Sequence, residues 1–208
     1  MVTLVFLIVL GAGIFALFRF YDARRQQRDS IRASLHAAAK ALRGDLEPNP
    51  QRRGRQRVTF DEQGHRFALS REQAPGDDTV MQNIFVVEAL HTSCSFNFDL
   101  RACRTRLTTQ TDGAAAEPPD HELAEQNIDF SGDEISRKHF SRLIGDQDNK
   151  RLLTYALDHK DARLHFAPSG SWFECAGFSD NGELVAATAR TAARALAIFL
   201  TPTATTKK

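Results

Sequence analysis

The chain has 208 residues, 42% hydrophobic and 25% charged, with a net charge of +1. That balance excludes an intrinsically disordered chain and leaves room for one domain with a usable core. The near-neutral total hides an asymmetry: Arg19 to Arg57 holds eleven basic and four acidic residues, a net of +7, which leaves −6 for the rest.

The first element is apolar. From Val2 to Phe18 no side chain is charged and the only hydroxyl is Thr3. About 17 such residues make roughly 25 Å of helix, enough for the hydrocarbon core of a bilayer. The n-region is simply Met-Val-Thr, without a basic residue, and no A-x-A-like site separates the run from Arg19, Arg24, Arg25, Arg28 and Arg32. A cleaved signal needs a basic start and such a site, so the run reads as an uncleaved anchor. Trailing positive charge resists translocation. The expected topology is single-pass in a cell membrane, of the bacterial inner-membrane kind, with the N-terminus outside and the C-terminal domain in the cytoplasm. The partner this implies is the lipid bilayer, with Val2 to Phe18 in the hydrocarbon and Arg19, Arg24, Arg25 and Arg28 at the headgroups. The position of the basic cluster favours membrane over nucleic acid. Ala12 and Ala16 make a small-xxx-small pair that would let two anchors pack.

Residues 21–47 follow as a basic juxtamembrane helix. Ile31, Leu35, Ala38 and Leu42 form a seam of about two heptads. Three readings fit it: a dimerising stalk, a helix packed on its own domain, or a basic face resting on anionic headgroups. Pro48 and Pro50 should stop the helix, and residues 48–55 read as a linker.

The period then changes to two. Val58 and Phe60, a DEQG turn, and Phe67 and Leu69 predict a hairpin. After a break at Gln73–Thr79 come Ile84–Leu90 and Cys94–Leu100, the latter with Cys94, Phe96, Phe98 and Leu100 on one face. Arg104–Thr109 is expected to continue the sheet. Residues 111–134 hold eight acids and no Lys or Arg, and read as a solvated acidic loop from which Ile128 and Phe130 dip back.

Phe140–Ile144 is expected as a short strand. Asp146 or Asp148 caps a helix whose face carries Leu152, Leu153, Ala156 and Leu157. Leu164 and Phe166, a turn at APSGS and Trp172–Cys175 predict a second hairpin, and Asp180 with Glu183 makes a capping box. The closing helix turns Val185, Ala189, Ala192, Leu196 and Phe199 inward and Arg190 and Arg194 outward. The expected fold class is α+β: a single transmembrane helix, then a small antiparallel-sheet domain over 56–200 with two packed helices, and a tail at 201–208.

The stretch GDQDNKRLLTYALDHKDARLHFAPSGSWFECAG, followed by an alanine-rich helix, resembles the C-terminal domain of certain uncharacterised bacterial membrane-anchored proteins. The similarity spans residues 140–200 and implies an α+β cytoplasmic body and no known activity. Those proteins usually carry two membrane segments, and this chain shows one.

Chemistry is sparse. The sequence contains no G-x-x-x-x-G-K-[ST], G-x-G-x-x-G or G-x-S-x-G, so phosphate loops, dinucleotide folds and the nucleophile elbow lack support. Seven histidines (His36, His65, His91, His121, His139, His159, His165) show no HExxH spacing. His121-Glu122 with Glu125, and Asp158-His159 with Asp161, come nearest to metal clusters but read as charged loops or helix ends. Cys94, Cys103 and Cys175 form no CxxC and read as reduced thiols, although a hairpin would let Cys94 and Cys103 pair. No catalytic, cofactor-binding or metal-ligating residue is therefore assigned. Trp172 and Phe173 are adjacent, so on a strand one is core and the other, near Phe178, is a candidate contact. The sequence favours a membrane-tethered interaction or scaffold module that binds a protein partner or a second copy. Behind it stand a tethered enzyme with a dispersed site and a ligand-sensing domain.

Overall fold

The computed structural model describes residues 2–50, 55–75, 81–102, 128–177 and 179–202. It opens on one unbroken helix, α1 (Val2–Leu42). Among the described residues no helix is long and apolar enough to cross a membrane. The side chains of residues 2–12, on which the expected span chiefly rests, lie outside the described set.

The rest is α+β. Strands β1 (Asp45–Pro48), β2 (Gln56–Glu62), β3 (His65–Pro75), β4 (Met81–Leu90), β6 (Phe98–Ala102), β7 (Ile128–Gly132), β8 (Arg163–Ala167) and β9 (Gly170–Ala176) form one eight-stranded sheet in the order β1-β2-β3-β4-β9-β8-β6-β7. Every pairing is antiparallel. A two-stranded sheet joins β5 (Thr92–Ser93) to β10 (Thr201–Pro202). The other described helices are α2 (Glu134–Leu143), α3 (Gln147–Leu157) and α4 (Gly182–Ala197).

Alternation decides which face is core. Val58, Phe60, Phe67, Leu69, Phe85, Val87, Leu100, Leu164, Phe166 and Phe173 are all buried and cross-strand matched on one face. Helix α4 lays Val185, Ala186, Ala189, Ala192, Ala193 and Leu196 into that core, and α1 adds Leu35, Ala38, Ala39 and Leu42. The expected seam thus packs on its own domain. Farther along the sheet Phe98 stacks between Phe130 and Phe166, with Phe140 and Phe199 within 6.4 Å of it. Two-residue Gln63-Gly64 turns β2 into β3, both with positive φ (50° and 78°), the conformation that suits the twist of a tight hairpin.

Where α1 crosses α4 there is no room for a side chain. A Cβ on Gly182 would collide with the Ala37 Cβ and lie 2.9 Å from the Ser34 carbonyl oxygen. At the other end of the crossing Arg190 donates to the Ala41 carbonyl at 3.1 Å, and Arg190 and Arg194 both reach Glu62. The two helices therefore run in the same direction.

Several boundaries differ from expectation. The first helix ends at Leu42 rather than 47, because residues 45–48 pair as an edge strand with β2. That moves Pro48 out of the linker. Residues 140–144 are not a strand: Asp133 accepts from the Ser136 N–H at 2.7 Å and starts a helix that buries Ser136 and Phe140. Within the expected acidic loop, Ile128–Gly132 form β7, with Ile128 and Phe130 buried as expected. Residues 103–127, which include Cys103, Arg104–Thr109 and most of that loop, lie outside the described residues. Asp146 is the α3 cap, whereas α4 is capped by Asn181, one residue after Asp180. The sheet is large rather than small, and among the described residues three helices and part of a fourth pack with it.

Candidate functional site

The other face of the sheet carries a charged and aromatic row. Register places Glu88 beside Trp172, Trp172 beside His165, His165 beside Asp99 and Asp99 beside Ser131. The neighbouring row runs Val86, Glu174, Arg163, Arg101, Asp129. Side chains at directly opposed positions stand ~5 Å apart, so each row forms a continuous strip across the strands.

Asp99 is the hub. One carboxylate oxygen accepts from the Arg163 Nε at 2.9 Å while the other lies 2.9 Å from an Arg163 terminal nitrogen, a bidentate fork. The first oxygen is also 2.7 Å from the His165 Nδ1. Partial burial pushes the Asp99 carboxyl up, but the hydrogen bonds from Arg163 and His165 outweigh it and hold it below the usual carboxylate range. The same bond to Asp99 pushes Arg163 up. The His165 ring lies against Trp172 with centroids 3.8 Å apart. An Asp on Nδ1 orients an imidazole and leaves Nε2 as its other ring nitrogen, the arrangement used both by general bases and by polar contact surfaces.

Beside this row the surface dips into a hollow of about 580 Å³ lined by Arg101, Arg163 and His159 on the basic side and Asp129, Asp161 and Glu174 on the acidic side. Charges of both signs thus line it, and Arg163 is already committed to Asp99, with Glu174 3.8 Å away. His159 and Asp161, singled out in the sequence, meet here. Among the described residues no group of three His, Cys, Asp or Glu side chains could hold a metal ion.

The thiols lie elsewhere. Cys94 and Cys175 are free and buried. Burial pushes both up, Cys175 to about 12, so neither supplies a thiolate at neutral pH. Of the adjacent aromatics, Phe173 is core and Trp172 belongs to the open face. Phe178 lies outside the described residues.

No family model, curated protein or solved structure matches this chain. The resemblance of residues 140–200 therefore rests on the quoted stretch alone.

The second distinctive surface is α1 before it reaches the domain. Ile14, Phe15, Leu17, Phe18, Phe20 and Tyr21 are exposed, as are Arg19, Arg25, Arg28 and Arg32. Six large exposed apolar side chains within eight residues of one projecting helix are far from the usual surface of a water-soluble domain.

Proposed function

We propose that this protein is a single-pass membrane protein whose α+β domain is a cytoplasmic interaction module. The observation that carries the reading is the uncharged run Val2–Phe18, which continues without a break in α1 into the core of the domain. The bilayer is its first partner, with Arg19, Arg24 and Arg25 at the headgroups. The second is a protein, docked on the open sheet face around Trp172, His165 and Arg163. Supporting this choice, the face combines a rigid aromatic with arginine and carboxylates in fixed geometry, the residue types that carry binding energy at protein interfaces.

Detergent-solubilised full-length protein should recover a stoichiometric partner, and Trp172→Ala should abolish that recovery while the protein stays folded. Reproducible isolation of the protein alone counts against the module reading. Reporter fusions after Lys208 test the orientation: activity of a periplasm-only reporter there overturns the cytoplasmic placement.

One observation favours a tethered enzyme instead, the Asp99-oriented His165 at the edge of a polar hollow. That reading expects a small molecule to raise the melting temperature of the wild type and not of His165→Gln.

A further inference from the structure

The buried face of α1 and its arginines share one helical register. Arg28 stands seven residues before Leu35, which stands seven before Leu42; Arg25, Arg32 and Ala39 form a second such row. Seven residues are nearly two full turns, so each row stays on one side of the helix. Leu35, Ala39 and Leu42 are buried in the domain, while Arg25, Arg28 and Arg32 are exposed. As α1 leaves the domain, guanidinium groups continue the side that packed into the core, with the exposed Asp29 carboxylate flanking them four residues after Arg25 and three before Arg32. The arginines overhang one end of the domain.

That end is defined by contacts. Gly182, at the start of α4, lies against Ser34, Ala37 and Ala38, and α4 begins just after Ala176, the last residue of β9. Ala176 pairs with Ile84, and Ile84 with Glu72. Arg55, next to the start of β2, lies at this end too, since Pro48 pairs with Gln56 and the Arg55 guanidinium donates to the Arg71 carbonyl. Arg55 therefore joins Arg25, Arg28 and Arg32, against the exposed carboxylates of Asp180 and Glu183.

Helix geometry limits which arginines reach lipid in an upright pose. Arg28 lies ~15 Å and Arg32 ~21 Å along the axis from Phe18, beyond a headgroup layer only ~5–8 Å deep. Tilting α1 toward its arginine side lowers both, and because the domain hangs on that side it comes down with them. Tilts of about 20–40° are ordinary for membrane helices.

We propose that α1 tilts toward this side, so that Arg25, Arg28, Arg32 and Arg55 bind anionic phospholipid headgroups and the end of the domain nearest Gly182 rests on the membrane. This rests on the membrane-anchor reading above and adds a lipid class and a pose. Anionic lipid is chosen over an acidic protein because the arginines follow directly, on one rigid helix, from the uncharged segment.

The chain has a single tryptophan, Trp172, four residues from Ala176. At ~3.3 Å per residue it stands ~13 Å from that end of the domain, so its energy transfer to a dansyl-labelled headgroup lipid reports the pose. Full-length protein is reconstituted into phosphatidylcholine vesicles with or without phosphatidylglycerol, and first floated on a density gradient. The proposal expects transfer several-fold higher in the anionic vesicles, falling to the neutral-lipid level at high salt and in Arg25→Gln/Arg28→Gln/Arg32→Gln, which still floats. Equal transfer in the two lipids overturns it, as does a triple variant indistinguishable from wild type, while the anchor reading survives both. Failure of the wild type to float overturns both readings together.

Discussion

The two halves of α1 obey the same helical geometry and live in different environments. From Ile31 to Leu42 the helix is one wall of the core, with Leu35, Ala38, Ala39 and Leu42 at 7% exposure or less. From Gly13 to Asp29 it projects, with Phe18 at 72% and Tyr21 at 71%. A projecting segment gains nothing from the fold, and the proposed membrane anchor gives its exposed apolar side chains a partner outside the domain. The buried half needs none. Substitutions on the two halves should therefore report on different properties: stability for one, location for the other.

The largest contrast is expected at Leu35. Leu35→Ala removes a side chain from beneath the sheet and should cost the domain ~2–5 kcal/mol in denaturant melts. A loss under ~1 kcal/mol would mean that this part of α1 is not integral to the core. Gly182→Val places methyl groups where α4 meets the α1 backbone and should cost ~1–3 kcal/mol by forced separation of the two helices. Gly182→Ala should cost less, and the ratio of the two measures how tightly the crossing is held.

Asp99→Asn tests the open face. It removes a charge-assisted acceptor from Arg163 and His165 and should destabilise by ~1–2 kcal/mol at pH 7. Because the folded state lowers the Asp99 pKa, its contribution is present above the unfolded carboxyl value near 4 and is lost as pH falls through the folded value. The gap between wild type and variant should thus close below about pH 4. A gap independent of pH would point to packing rather than charge. Arg28→Gln, on the projecting half, should change stability by no more than ~0.5 kcal/mol.

Much of this was legible in the sequence, and the misses share a cause. Period-two alternation revealed Val58, Phe60, Phe67, Leu69 and Phe98 as core, and the 4-3-4 spacing revealed Ile31 to Leu42 as one seam, because burial on one side writes directly into periodicity. The edge strand Asp45–Pro48 escaped because four residues that follow Gly44 and end on a proline carry no readable alternation. Helix α2 was hidden because its cap, Asp133, and first residue, Glu134, end an acid-rich run that looks like loop. At α4, Asp180 and Asn181 are both competent caps, and only the accepted bonds from Glu183 and Leu184 choose Asn181. The Glu88–Trp172–His165–Asp99 row was out of reach altogether. It joins residues 84 positions apart, and only strand register brings them together.

The most direct test of the central claim, that α1 ties the domain to a bilayer, is alkaline carbonate extraction of membranes from cells expressing the full-length protein. An integral anchor keeps the wild type in the pellet, and Val5→Asp/Val9→Asp, which places two charges in the apolar run, moves it to the supernatant. Wild-type protein released quantitatively by carbonate would contradict the account.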